Sequence, residues 1–357
     1  MRVAAVPESL VERLILLAGL APTPIVDTFH AVIVARAIMV ATRLGVFDAV
    51  ASGPRTGPEM AAVLGLHPRG IEKLCNLLVA VGYLKFHGER YSASRAAAKW
   101  LRSDSPQSLH DNMLLRFLEW QAIEATEDFV RTGTSVDAHD RISGDQWETY
   151  QRGMRSIARL SAGEVASRVR LPRDARRMLD VGGGHGTYAV AFCRRHPTLE
   201  ATILDLPEAV TAAAPLLAEA RMGDRVAHRV GNALVADFDA DRWDLVFMSH
   251  LVHHFDNAGN RDLVARVARG LRPGGVLAIL DVLRPATPTG TGQTAALLDL
   301  YFAVTSNSGT WSHPEIDAWA TRAGLTPGRA IHLRTAPGIS VLRFEKPRGP
   351  AQKGGAR

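Results

Sequence analysis

The chain has 357 residues and only two cysteines, so no disulfide framework holds it together. Cys75 and Cys193 stand in apolar helical contexts without a partner at metal-ligand spacing. They read as reduced, buried small side chains. Long apolar runs are missing as well. Residues 14–20 follow Glu8, Glu12 and Arg13, and residues 29–40 carry His30 and Arg36. Both fall short of the ~20 residues of a membrane span and are expected as buried helices. No secretory signal, internal repeat or long low-complexity segment is visible. The net charge of +6 is not gathered into a block; the basic residues are scattered, and several lie between Lys346 and Arg357. These absences leave a cytoplasmic globular protein, with neither membrane nor nucleic acid as partner. The length gives two domains as the natural division.

What is present divides near residue 172. Before it, most segments read as helices. Pro22 and Pro24 separate a first helix from a second at about 28–44. That second helix is apolar almost all round, so it is expected to be buried on most sides and to imply a partner subunit. Thr56 and Glu59 have capping-box spacing ahead of a short helix at 60–64. A turn at 65–68, a helix at 71–81 and a hairpin from 82–86 and 90–92 complete a winged helix. Such a unit reads DNA or builds a dimer. Arg69, Glu72, Lys73 and Asn76 make a thin basic face for a major-groove reader, which favours dimerisation. Helices at 109–129 and 146–169 are expected to link the halves and wall a substrate chamber, with 132–144 as a surface loop. The expected domains are 1–105 for dimerisation, 106–172 for the linking helices and 173–346 for a ligand-binding α/β domain. The tail 347–357 is expected to be disordered.

From Arg176 strands and helices alternate. Apolar strands at 178–181, 201–204, 226–230, 245–249 and 276–280 predict a doubly wound, mostly parallel sheet, with 339–344 in a closing antiparallel pair. The first strand ends in Asp180 and runs into Gly182, Gly183, Gly184 and Gly186 before an apolar helix. Strand, glycine turn and helix bring backbone N–H groups close to a nucleotide-like ligand. A dinucleotide fingerprint starting at Gly182 needs glycine at 187, where Thr187 stands. The spacing is G-x-G-x-G instead.

Asp205 ends the second strand about twenty residues on, where a carboxylate either accepts both ribose hydroxyls or caps the turn before Leu206. Gly231 and Asn232 follow the third strand, and Asn232 is a candidate for an adenine amino group or a plain turn residue. The fourth strand runs into Ser249, His250, His253 and His254. A neutral histidine there can take a proton from an attacking hydroxyl. Asp281, ending the fifth strand, is placed to fix its tautomer or is a solvated strand-end carboxylate. The three histidines with Asp256 come from one short segment without an obvious distant ligand, so no metal is expected. Phe117, Trp120, Met154, Tyr301 and Phe302 are candidate pocket walls, or ordinary helix packing. Asp299, amid Leu297, Leu298, Leu300 and Tyr301, needs a partner or a ligand hydroxyl.

The G-x-G-x-G turn after an acidic residue resembles the S-adenosylmethionine turn of class I methyltransferases. With residues 41–48, 179–184, 205–207, 253–255 and 271–275, the chain over about 28–345 resembles the plant-type, caffeate-like O-methyltransferases and their bacterial natural-product relatives. The resemblance implies a class I methyltransferase α/β fold, Rossmann-like, with an N-terminal winged-helix domain that builds a homodimer. It implies S-adenosyl-L-methionine as cofactor, S-adenosyl-L-homocysteine as product, and a small aromatic or polycyclic hydroxylated acceptor. Asp180, Gly182, Gly184, Gly186, Asp205, Leu206, Gly231, Asn232 and Ser249 become cofactor candidates. Phe117, Trp120, Met154, His254, Asp299 and Phe302 become substrate candidates. His253 maps onto the catalytic base and Asp281 onto its first supporting carboxylate. Three positions depart from the family: Thr310 stands for a second supporting Glu, Ser249 for a cofactor-holding Lys, and Asn232 for an adenine-binding Asp. Two alternatives stay open. One is a relative that binds the cofactor but acts as a hydroxylase, decarboxylase or pericyclase; the other is a winged-helix regulator without catalysis.

Overall fold

A computed structural model describes residues 4–348 except 138–141, 286, 289–291 and 307. The expected tail therefore lies almost wholly outside the described residues. The chain divides into two compact units, 1–118 and 119–357.

The N-terminal unit contains helices Leu10–Leu17, Ala31–Arg43, Gly57–Leu64 and Pro68–Ala80, and a hairpin of β1 (Leu84–His87) and β2 (Arg90–Ala93). The capping box forms as the spacing requires. Glu59 N donates to Thr56 Oγ1 at 3.3 Å, and Thr56 N donates to Glu59 Oε2 at 2.9 Å. Phe47, Met60, Ile71 and Leu78 fill the small core. Asn76, counted on the candidate DNA face, instead accepts from Tyr91 Oη at 2.7 Å and fastens the wing to its helix.

The first two helices correct the expectation of burial. Leu10–Leu17 has no buried residue. Pro24 does not break the second helix, because it sits in a first turn where its missing N–H is not needed. The helical run therefore extends over 23–43, 21 residues with a mean hydropathy of 1.6 in its 18-residue window, and reaches a length the sequence reading denied it. Its burial is confined to Ala37, Met39, Ala41 and Thr42, while Phe29 and Val32 stay 62% and 50% exposed. Hydrophobic patterning marks a face for burial but cannot say whether the cover comes from the same chain.

The C-terminal unit is built on a sheet of β3 (Arg177–Val181), β4 (Glu200–Asp205), β5 (Val226–Val230), β6 (Trp243–Ser249) and β7 (Leu271–Arg284), with β8 (Ile339–Glu345) at the far side. The spatial order is β8-β7-β6-β3-β4-β5; β3 to β7 pair in parallel and β8 runs antiparallel to β7. The order reverses between β3 and β6, and crevices at such switch points receive ligands. The strands alternate between two cores. Met178, Leu245 and Phe247 face one layer with Phe192, while Leu179, Val246 and Met248 face the other with Leu277 and Trp319. Burial on both faces explains why these strands read as apolar runs. Two spans differ from expectation. The 109–129 helix is broken into His110–Ile123 and Thr126–Thr132, and β7 continues to Arg284, so Asp281 lies inside a strand.

Candidate active site

The turn after β3 is shaped by two glycines above all. Gly184 has φ +42°, and a Cβ there would meet Gln151 Oε1 at 2.5 Å; Gly186 has φ +68°, and its Cβ would meet Ile203 Cδ1 at 2.5 Å. Both the left-handed backbone and the close neighbours require glycine. The Gly184 peptide is held at both ends: its N–H donates to Asp205 Oδ2 at 2.8 Å, and His228 Nε2 lies 2.8 Å from its carbonyl. Asp205 Oδ1 accepts from Leu206 N at 2.8 Å. Burial pushes the Asp205 carboxyl above its ordinary value, and these two backbone N–H groups work against that rise.

A cavity of about 300 Å³ opens over this turn. Of the sequence candidates, Gly182, Gly184, Asp205, Leu206, Gly231, Asn232, Ser249, Met154 and His254 line it. Asn232 also closes its own turn by accepting from Leu234 N at 2.8 Å. Gly186 and Asp180 do not reach the wall. Gly186 starts helix Thr187–Arg195. Asp180 lies behind the turn, 1% exposed, and no side chain pairs with its carboxylate oxygens. A Cβ on Gly183 would come within 2.5 Å of its Cγ. Burial, then the charge of Asp205, pushes its pKa up to about 7. Asp180 therefore acts on the cavity through the turn, not by contact.

Several wall residues escaped the sequence reading. Trp147, Tyr150, Gln151, Ile157 and Ala158 line the cavity beside the expected Met154, all from helix Gly144–Arg168. Their spacing of three and four is one stripe of a helix. Tyr150 is pushed well above the usual phenol range by burial, then by the charges of Asp205 and Glu119. His185 lies in the turn itself, where burial, then Arg155, Arg159 and His228, push its imidazole down to about 3. It is neutral at physiological pH. Tyr188 joins Ser161 at 2.9 Å.

Beside the cavity, His253 sits on a short turn, Val252–His254, after β6. Its Nδ1 lies 3.0 and 3.1 Å from the two oxygens of Asp281. Both residues are 2% exposed, so Asp281 is not a solvated carboxylate. Burial works to raise the Asp281 pKa. The His253 charge, the nearby His250 imidazole and the hydrogen bond from His253 more than offset it and hold the group well below the usual carboxylate range. An ionised carboxylate only accepts, so Nδ1 of His253 carries a hydrogen toward it, and in the neutral ring the lone pair is then on Nε2. Asn260 Nδ2 and Trp311 Nε1 both donate to Val252 O, at 2.8 and 2.9 Å, and fix the turn. Phe302 stacks on the imidazole at 3.7 Å between ring centroids. His250, at φ +50°, brings its Nδ1 to 3.6 Å from Asp281 Oδ1.

His250, His253 and Asp281 place one ligand atom each within 4.8 Å of one another. Asp281, expected as the partner of His253 and not counted as a metal ligand, is the distant carboxylate of this group, whereas Asp256 caps a helix by accepting from Gly259 N at 2.7 Å. A hydrogen-bonded dyad accounts for the Asp281–His253 contact without an ion.

The remaining candidates scatter. Asp299 Oδ1 accepts from Thr310 N at 2.8 Å and from Thr310 Oγ1 at 2.5 Å, so its partner is the residue that replaces the family's second Glu. Ser306 Oγ lies 3.0 Å from His254 Nδ1. Trp120 does not line the cavity. Phe117 belongs to the N-terminal unit, where the guanidinium groups of Arg36 and Arg43 lie over its ring at 4.7 and 3.8 Å.

Comparison with known proteins gives the chain its family. The sequence profile of the O-methyltransferase domain matches residues 127–326, and that of the O-methyltransferase dimerisation domain matches residues 26–103. The chain is 29% identical to 3-hydroxy-5-methyl-1-naphthoate 3-O-methyltransferase of Streptomyces sahachiroi, over 89% of this chain and 93% of that one. It is 28% identical to a mitomycin biosynthesis 6-O-methyltransferase of Streptomyces lavendulae, over 85% and 88% respectively. The fold superposes on human N-acetylserotonin methyltransferase, solved in complex with SAM, with a TM-score of 0.81 at 18% identity, covering 96% of this chain and 99% of that one. The chain belongs to the S-adenosylmethionine-dependent O-methyltransferases, with that family's dimerisation and methyltransferase domains.

Proposed function

We propose that this chain methylates a hydroxyl of a small aromatic or polycyclic metabolite, with His253 as general base and Asp281 as the residue that orients it. The buried His253–Asp281 pair at the carboxyl ends of β6 and β7 carries the reading. The cavity over the glycine turn fits S-adenosylmethionine. The buried amide of Gln151 lines it, and a side chain at Gly184 would fill the cradle. Asp205 would hold the ribose hydroxyls, and the turn would lie under the methionine end. When bound, the cofactor supplies an electrophilic methyl group on a sulfonium sulfur. His253 Nε2 takes the proton from the acceptor hydroxyl, and Asp281 steadies the imidazolium that results. Phe302 shields that imidazole from water.

The relatives' names point to a hydroxynaphthoate acceptor in one and to mitomycin biosynthesis in the other. Hydroxynaphthoic acids are therefore the first acceptors to test. Labelled methyl transfer from S-adenosylmethionine to that panel is expected, and His253→Ala is expected to lower turnover at least ~100-fold with cofactor affinity retained. Full turnover in His253→Ala removes that residue from the role. Cofactor binding without transfer to any oxygen, nitrogen or carbon acceptor favours a relative with a changed reaction.

The N-terminal unit pairs two copies of the chain. The matched dimerisation domain begins at residue 26, and the exposed Phe29, Val32 and Ile33 of the second helix supply an apolar face for a second copy to cover.

A further inference from the structure

We infer that Gln151 recognises the amino-acid end of the cofactor: its unpartnered buried amide oxygen lies on the cavity wall against the bare face of Gly184. The inference rests on S-adenosylmethionine occupying this cavity. Gln151 is 3% exposed, and its Oε1 has no hydrogen-bond partner. Native proteins leave few such groups, and Gln151 itself lines the cavity.

Neighbouring polar groups are already engaged. The Asp205 oxygens accept from Gly184 and Leu206, Asn232 Oδ1 accepts from Leu234, and His185 Nδ1 accepts from Thr187 N at 3.2 Å. Gln151 differs in having its acceptor unmet. Its place is also specific. A Cβ on Gly184 would lie 2.5 Å from Gln151 Oε1 and 3.1 Å from Nε2, so the amide packs on the turn itself. The nucleoside side of the cavity is marked instead by Asp205, Gly231 and Asn232.

The chemistry of the two partners matches. An α-amino acid presents an ammonium donor and a carboxylate acceptor. A primary amide presents one acceptor and two donors, so it complements the zwitterion whichever way its oxygen and nitrogen are turned. Hydrogen bonds to a charged group are among the stronger ones, and loss of one corresponds to roughly a 10- to 100-fold change in affinity.

The experiment compares two ligands by calorimetry on the full chain. S-adenosylhomocysteine carries the amino-acid end; 5′-methylthioadenosine keeps the nucleoside and sulfur but lacks it. Gln151→Met is close in shape and has no amide. It is expected to weaken S-adenosylhomocysteine by ~10- to 100-fold and leave methylthioadenosine within about twofold. Gln151→Glu keeps an oxygen acceptor and is expected to preserve the preference for S-adenosylhomocysteine. Equal weakening of both ligands in Gln151→Met, with the preference lost in Gln151→Glu, would make the residue a packing element and overturn the inference. Unchanged S-adenosylhomocysteine affinity in Gln151→Met overturns it as well. If the wild-type chain takes up neither ligand, the cofactor reading itself fails, which is a separate result.

Discussion

Replacing Asp281 by Asn tests the dyad at its most vulnerable atom. Asp281 Oδ1 already accepts from Val282 N at 2.8 Å, so the Asn oxygen is held at that position. The amide nitrogen then takes the place of Oδ2, 3.1 Å from His253 Nδ1. Two N–H groups then face each other at that contact, and Nδ1 keeps only the retained oxygen, 3.0 Å away, as acceptor. Where the ring flips its tautomer to relieve the clash, the hydrogen sits on Nε2 and the lone pair needed to deprotonate the acceptor is lost; where it does not, the imidazolium loses its charged partner. Loss of general-base action together with the wrong tautomer corresponds to ~10²- to 10⁴-fold in turnover, or ~3 to 5 kcal/mol of barrier. The side chain keeps its volume, and the cofactor wall does not include it, so S-adenosylhomocysteine affinity is expected to stay within a few-fold. The assay is labelled methyl transfer to the best acceptor of the hydroxynaphthoate panel, followed by calorimetry with S-adenosylhomocysteine. Wild-type turnover in Asp281→Asn with an unaltered pH profile refutes the tautomer argument.

Other regions make separate demands. Asp180 has a folded pKa of about 7, above the ~3.9 of an unfolded aspartate, so folding disfavours its ionised form. The ligand-free protein should lose up to ~4 kcal/mol from this group as pH rises from about 4 to above 7, and Asp180→Asn should raise Tm more at pH 8 than at pH 5.5; an equal gain at both contradicts the shift. Gly186→Ala places a Cβ at 2.5 Å from Ile203 Cδ1 with φ at +68°. Left-handed strain and overpacking together predict ~2 to 5 kcal/mol of destabilisation, read as a fall in Tm, and an unchanged Tm would show that the turn relaxes. Val32→Asp with Ile33→Glu charges the exposed face of the second helix. Sedimentation should show a dimer in the wild type and single chains in the variant, and a variant that stays dimeric places the interface elsewhere.

Much of the C-terminal unit was legible in the sequence because its strands are buried on both faces, so each appears as an apolar run closed by a polar or glycine residue. That same punctuation located Asp205 and the glycine turn. Asp281 was paired with the right histidine but placed at a strand end, since nothing in the residues up to 284 signals that the strand continues. The stripe from Trp147 to Ala158 was written in the helix periodicity, yet which stripe faces the turn depends on packing between helix and sheet. Phe302 was expected on a pocket wall and lies over the imidazole instead. Asp299 needed a partner, as its apolar setting implied, and found it in Thr310, eleven residues away. In the N-terminal helices, apolar patterning was read as burial, for the second helix with a partner subunit, and within one chain Leu10 and Leu17 remain 78% and 76% exposed.

Titration of S-adenosylhomocysteine into the wild-type chain and into Asp205→Ala tests the central claim most directly. Asp205 alone supplies the strand-end carboxylate beside Gly184, and two charge-assisted hydrogen bonds to the ribose correspond to an affinity loss of at least ~30-fold. One site per chain in the wild type, weakened by that factor in the variant, is the expected result. No binding by the wild type, or equal binding by both, contradicts the placement of the cofactor over the glycine turn.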